Sequence, residues 1–183
     1  MGRPKCFDRN EVLQAAIQVF WKKGYVDTSL ADLEKATGVN RSGLYSEFKD
    51  KEDLFVQSII HYCENSPIPS ILKNKPLGWA NIETFLKVPS TYESNKGCFM
   101  NNTIREYGII PDAVKTAIDK SHQLARTLLL KNLKATQVKK DPEFLISLIM
   151  TFSSGIALKL NAVHPSEVEK EIEGFLKMIK SLG

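Results

Sequence analysis

Three cysteines, three histidines and two tryptophans are spread over 183 residues, and no uninterrupted apolar run exceeds a few residues. Cys6, Cys63 and Cys98 are odd in number and irregular in spacing, which fits reduced thiols better than a disulfide frame. A bilayer-spanning helix needs roughly 20 apolar residues, and MGRPKCFDRNE has no apolar signal region. The expectation is therefore a cytoplasmic chain with no membrane partner. His61, His122 and His164 belong to no metal-spaced cluster, and His61 and Cys63, two apart, would point to different sides of a helix. Neither a phosphate-cradling Gly-rich loop nor a G-x-S-x-G elbow occurs, and Ser154-Gly155 reads as small residues easing helix contact. No catalytic residue, metal or cofactor is expected, and the chain does not read as an enzyme. Charge is also uninformative: the net is +4, and residues 1–52 carry nine Lys+Arg against eight Asp+Glu. Basicity by itself does not argue for nucleic acid.

What is present is helical periodicity nearly throughout. Val12, Ala16, Val19 and Phe20 share one face of a helix expected from near Asp8 to a C-cap at Gly24. Ser29-x-x-Asp32 opens a short helix with Leu30 and Leu33, which Gly38 ends. Asn40 can cap a third helix and Asp50 a fourth, whose Leu54, Phe55, Ser58 and Ile59 continue an apolar stripe to about Asn65. SPIPS and prolines 76, 89 and 111 then punctuate a middle region with shorter helices over 79–87 and 98–107. Longer helices are expected over 112–137, 142–162 and 166–181. No strand pattern of useful length and no internal repeat appears. This reads as an all-α protein, with a helix-turn-helix unit over 1–50 and a larger ligand-binding and dimerisation body over 51–183.

Two short helices joined by a tight turn with Gly make LADLEKATGVNRSGLYSEF a helix-turn-helix pattern. Leu33, Val39, Leu44 and Phe48 supply inward contacts. The opposite face, Arg41, Ser42, Gly43 and Ser46 with Tyr45 beside it, is small and polar, so this helix can lie close in a major groove. There Arg41 can donate to guanine edges and Ser42 to bases or phosphate. Tyr45 joins a flat apolar body to a hydroxyl that can bond a phosphate oxygen; its alternative is half-buried packing. Lys51 stands in the first turn of the fourth helix, where the helix dipole disfavours a cation. A phosphate held there by backbone N–H groups and the ammonium would resolve the conflict; a solvated lysine balanced by Glu52 and Asp53 is the other reading.

The pattern F-x-x-K-G-x-x-x-T-S-L-A-D-L-x-x-A-T-G-V-N-R-S-G-L-Y-x-x-F-x-x-K-x-x-L-F, from Phe20 to Phe55, resembles the DNA-binding signature of the TetR family of bacterial transcriptional regulators. The resemblance implies a homodimeric repressor that binds palindromic operator DNA through its N-terminal helices and releases it when a small-molecule inducer enters the body. It also implies phosphate contacts for Tyr45 and Lys51. The residues expected on DNA are Thr28, Ser29, Asn40, Arg41, Ser42, Gly43, Tyr45, Lys49 and Lys51. One position departs from the family pattern: Glu34 stands where alanine is usual, and its carboxylate needs a route to solvent. The leading MGRPK is either an arm for the minor groove or a disordered tail.

Beyond residue 66 the signature gives out. In KGCFMNNTIREYG (96–108), Cys98, Asn101, Asn102 and Arg105 fall broadly on one side of a helix, and Phe99, Thr103 and Glu106 on another. A pocket walled by Tyr62, Trp79, Phe85, Phe99 and Tyr107, with Cys98 and Asn102 as polar members, fits the design of small-molecule sites, although the same aromatics also serve as core. Cys98 follows Lys96 at an expected helix start, which favours a reactive thiolate; the alternative is a small apolar packing residue. The last two helices read as a partner surface: 146–163 is apolar nearly all round, and 167–182 carries Val168, Ile172, Phe175, Leu176 and Ile179 as a stripe. The resemblance implies a four-helix dimer bundle, and the alternative is burial within the monomer. The competing reading from another class is a helical binding protein whose helix-turn-helix makes only protein contacts.

Overall fold

Side-chain caps set the limits of the N-terminal helices. The computed structural model describes residues 7–91, 97–136 and 138–182. Helix α1 spans Arg9–Lys23, with the Asp8 carboxylate accepting from the Asn10 and Glu11 amides and Gly24 closing the last turn. Helix α2 (Leu30–Thr37) opens on a reciprocal Ser29–Asp32 capping box and ends at left-handed Gly38. Asn40 caps α3 (Arg41–Glu47) and Asp50 caps α4 (Lys51–Glu64). All four starts fall where capping chemistry predicts them, because each cap satisfies amide donors that the first turn leaves without partners.

Further along the chain lie α5 (Ile68–Lys73), α6 (Trp79–Lys87), a short 3-10 turn (Val88–Thr91), α7 (Phe99–Ile104), α8 (Asp112–Ala135), α9 (Pro142–Lys159) and α10 (Pro165–Leu182). No strand occurs among the described residues. Helix α5 is hidden in the sequence by its prolines, which sit at the start of the helix, where a missing N–H costs nothing. Helix α7 is shorter than the expected 98–107, and the chain leaves it through a run of turns. Helix α9 corrects another expectation: although interrupted by serines and a threonine, its 18 residues are long and apolar enough, by length and composition alone, to cross a bilayer. Leu145, Ile146, Ile149, Ile156 and Ala157 of this helix are buried in the protein.

The chain forms two units, one comprising the described part of Met1–Asn65 together with Asn102–Ile118, the other Ser66–Asn101 and Asp119–Gly183. A boundary at residue 50 falls at the start of α4, yet α4 packs along α1 and belongs by packing to the first unit. That unit is built on Leu13, Ala16, Ile17 and Phe20 of α1, Leu33, Leu44 and Phe48 from α2 and α3, and Leu54, Phe55 and Ile59 of α4, all buried. Val19 is only half-buried; the inward stripe runs through Leu13 and Ile17 instead.

In the second unit, Leu72, Ile82, Leu86, Leu129, Leu133, Ile146, Ile149 and Ile172 meet in one apolar cluster. Asn132 lies inside it, fully buried. Its amide nitrogen donates to the Leu72 carbonyl at 2.8 Å and the Leu128 carbonyl at 2.9 Å, and its oxygen accepts from Gly78 N and Asn81 Nδ2, each at 2.9 Å. One side chain thereby satisfies the backbone where α5 ends and α6 begins. Val168, Ile172, Leu176 and Ile179 of α10 also face this core, as does Ile156. The stripe expected to pair with a second copy is thus largely committed inside the protomer. The apolar surface left on these two helices is Phe144, Leu158 and Met178, 53%, 44% and 48% exposed, beside half-buried Phe152 and Phe175, whose rings stack at 3.9 Å.

Replacing Asn132 with Ala removes a partner of the half-buried Gly78 amide and of the carbonyl of buried Leu72, so Asn132→Ala should lose about 2–4 kcal/mol in urea unfolding. A loss below about 0.5 kcal/mol would show that water replaces the side chain.

Candidate nucleic-acid interface

Helix α3 is too short to be stable alone and is held by what surrounds its ends. Leu44 and Phe48, both 1% exposed, point into the first unit. Arg9 secures the C-terminal end: its Nε lies 3.1 Å from Glu47, its guanidinium 5.3 Å from the Phe48 ring, and it donates to Gln57 on α4 at 3.0 Å. At the N-terminal end, Asn40 Oδ1 accepts from Gly43 N at 2.9 Å. The unusual Glu34 supplies a second cap, because its carboxylate accepts from the Arg41 amide. An acid at this place on α2 therefore has a partner as well as a route to solvent.

The outer face of α3 carries Arg41, Ser42, Tyr45 and Ser46, all exposed. The Arg41 guanidinium lies 5.4 Å from the Tyr45 ring centre, so the two side chains stand together. Tyr45 is 38% exposed. Asn40 and Lys49 are exposed at the two ends of the helix. Gly43 has a packing reason: a Cβ there would lie 2.6 Å from Val39 Cγ1.

Three of the expected DNA residues already make contacts within the protein. Thr28 is buried, and its hydroxyl donates to the Gly24 carbonyl at 2.6 Å. Ser29 is tied up with Asp32, accepting from its amide at 3.2 Å and donating to its carboxylate at 2.7 Å. Lys51 turns away from its own helix dipole and donates to the carbonyls of Tyr25 at 2.9 Å, Val26 at 3.4 Å and Thr28 at 3.0 Å. Its ammonium also sits 4.6 Å from the Tyr25 ring. The cation at the positive end of α4 is balanced by turn carbonyls rather than by Glu52 and Asp53.

The same turn is held from its amide side. Glu106, just past α7, accepts from Tyr25 N at 2.6 Å through Oε2 and from Val26 N at 3.0 Å through Oε1. Periodicity could not find this contact, since the partners lie about 80 residues apart in the chain.

Residues 12–57 match the family model described as bacterial regulatory proteins, tetR family. The matched segment is similar to the DNA-binding segment of TetR-family regulators. It is 39% identical to the HTH-type transcriptional repressor ComR of Escherichia coli (strain K12) over 114 residues, 55% of this chain and 51% of that protein. Identity to the repressor BdcR of the same organism is 31% over 100 residues, 53% of this chain and 51% of that one. The chain thus spans about half the length of these curated relatives. A solved structure of a cysteine-substituted TetR family regulator, CifR, with 26 bp operator DNA superposes with a TM-score of 0.82 at 25% identity, covering 96% of this chain and 98% of that one. The all-helical fold is that of TetR-family structures.

Outside this matched segment, the seven residues expected to line a ligand pocket divide between the two units. Tyr62, edge-on to Trp21 at 5.5 Å, belongs to the first, with half-buried Asn102 and with Tyr107, which is 46% exposed. Trp79, Phe85, Cys98 and Phe99 belong to the second; Phe85 and Phe99 are buried, and Trp79 and Cys98 half-buried. A cavity of about 470 Å³ in the second unit is lined by Pro67, Ile71, Ala80, Glu83, Thr84, Lys87, Val88 and Thr91, none of the seven. The MGRPK arm and Lys96 lie outside the described residues. Cys98 precedes an α7 of only six residues.

Two measurements check this geometry. Ala is normally favoured over Gly in a helix by about 1 kcal/mol, so the crowding predicts that Gly43→Ala lowers Tm in the wild type but raises it when Val39 is also Ala. Asp32 is held well below the usual carboxylate range by Lys23, 2.6 Å away, and then by Ser29. Its stabilisation is present above the unfolded value of about 3.9 and is lost as pH falls through the depressed folded value. Stability of wild type minus that of Asp32→Asn should accordingly shrink on acidification below about pH 4. A constant difference would mean that the pair contributes nothing.

Proposed function

We propose that the chain is a homodimeric, cytoplasmic repressor that binds double-stranded palindromic operator DNA and leaves it when a small-molecule inducer occupies the body. The observation that carries this reading is the outer face of α3, where exposed Arg41, Ser42, Tyr45 and Ser46 stand on a helix anchored inward by Leu44 and Phe48. Its Gly43 and serines give a groove-bound helix a close approach. Arg41 reads base edges, while Tyr45, Ser42, Asn40 and Lys49 meet phosphate or sugar and fix register. Thr28, Ser29 and Lys51 serve the interface by fixing the start of α2. The operator complex of CifR and the repressor names of ComR and BdcR support the same reading.

Pairing through α9 and α10 is inferred from the apolar surface that the protomer leaves uncovered, Phe144, Leu158 and Met178 with the Phe152–Phe175 stack. A pair of heads reads half-sites about 34–36 Å apart or a multiple of that spacing. The inducer is read as a small, largely apolar molecule oriented by a few polar groups of the body, with Cys98, Phe99 and Asn102 among the residues proposed to meet it.

Isotherms on the duplex flanking the chain's own gene test the DNA reading. Arg41→Ala should cost about 1–3 kcal/mol and relax base preference at one position. Lys49→Ala should weaken all sequences alike and reduce the salt slope by about 1, and Tyr45→Phe should weaken all alike with the slope unchanged. Absence of any salt-dependent duplex binding by wild type would sink the proposal. For the dimer, Leu158→Asp with Met178→Asp should sediment as a monomer and lose specific binding; a variant that still pairs would move the interface elsewhere.

A further inference from the structure

The joint between α1 and α2 runs from Gly24 to Thr28, five residues with no helical partners for much of their backbone. Two charged side chains from distant parts of the chain grip it. Lys51, at the start of α4, takes the carbonyls of Tyr25, Val26 and Thr28. Glu106 takes the amides of Tyr25 and Val26, one with each carboxylate oxygen. The grip is close: Gly24 has φ +83°, and a Cβ there would stand 2.8 Å from Glu106 Oε2. Val26 is 53% exposed and adds little apolar anchoring of its own. Tyr25 stacks on buried Phe55 at 4.7 Å and Thr28 is buried, so the joint also has an apolar anchor. What orients its amides and carbonyls is the set of charge-assisted hydrogen bonds, which are short, directional and, on the amide side, lost as a pair when the carboxylate moves.

The DNA-reading helices hang directly on this joint. Ser29 starts α2, and Glu34 of α2 caps α3 at the Arg41 amide. A shift of the joint is therefore passed to the helix that carries Arg41 and Tyr45. We infer that Glu106 is a positioning residue for operator binding: it touches no DNA, and it holds the α1–α2 joint in the geometry that presents α3. The inference rests on the DNA-binding reading of α3. It also gives α7 a role, since the chain passes through α7 from the second unit to reach Glu106 in the first.

The experiment uses the full-length protein in three forms, wild type, Glu106→Gln and Glu106→Ala, at a temperature where circular dichroism shows each to be folded. Gln keeps the shape and one acceptor oxygen but turns an NH2 group toward the second amide. Operator isotherms across salt should show Gln weaker by roughly tenfold and Ala by up to about a hundredfold, the range for hydrogen bonds to charged groups, with unchanged salt slope because no phosphate contact is removed. Hydrogen exchange at the Tyr25 and Val26 amides should accelerate in both variants while the amides of α9 stay protected. A residue that merely packs would leave Gln equal to wild type in affinity and exchange. Variants within twofold of wild type, or a shallower salt slope, overturn the inference while the DNA reading stands. A wild type that binds no duplex overturns that reading and this inference together, and the exchange data then report the grip on its own.

Discussion

Between Gly24 and Thr28 the backbone must leave one helix and start another, and its polar groups have no regular structure to satisfy them. Leaving such groups unpaired costs more than a hydrogen bond normally contributes, so the arrangement that pairs them constrains everything attached to the turn. Lys51, Glu106 and the Thr28 hydroxyl share that task. From this point the order of dependence runs outward: the turn fixes Ser29, Ser29 starts α2, and Glu34 and Leu33 on α2 set the seat of α3. The face that carries Arg41 and Tyr45 is the last member of the series, and it is aligned only as well as the first.

The limits of this chain's helices are legible wherever the determining contacts are local. Asp8, Ser29, Asn40 and Asp50 each cap a helix through an amide two or three residues away, and such spacing is visible in one sequence. Leu44 and Phe48, four apart, can likewise be assigned to the inner face of α3. The grip of Glu106 and the four bonds of Asn132 are not legible, since their partners lie as far as some 50 to 80 residues away and neither side chain obeys a periodic rule. Periodicity also tells which residues share a face without telling what covers it. Hence the Val168–Ile179 stripe reads equally as a dimer surface or as core in the sequence, and its own protomer buries most of it.

Two residues that break local rules are informative in ways the rules themselves do not specify. A lysine at a helix N-terminus and an acid where the family has alanine each signal that an unseen partner of opposite character is near. For Lys51 the partners are three carbonyls, and for Glu34 a backbone amide. In both cases a charged side chain from one helix completes the backbone next to another, so the four short helices of the head are tied by polar as well as apolar contacts. That suits a unit too small to be held by its core alone.

The first unit is discontinuous along the chain, since Asn102–Ile118 belongs to it as much as the N-terminal segment does. A repressor of the proposed kind would look modular, with a reading head that evolution or an engineer could join to any sensor. Here a crossover placed after Asn65 would graft the four helices but leave behind the carboxylate that holds their first turn. A working chimera has to inherit the stretch around Glu106 along with the head, or find an acid of equal reach in its new body. The recombination unit is therefore larger than the sequence motif, and inheritance of the proposed DNA specificity would be linked to the segment around Glu106.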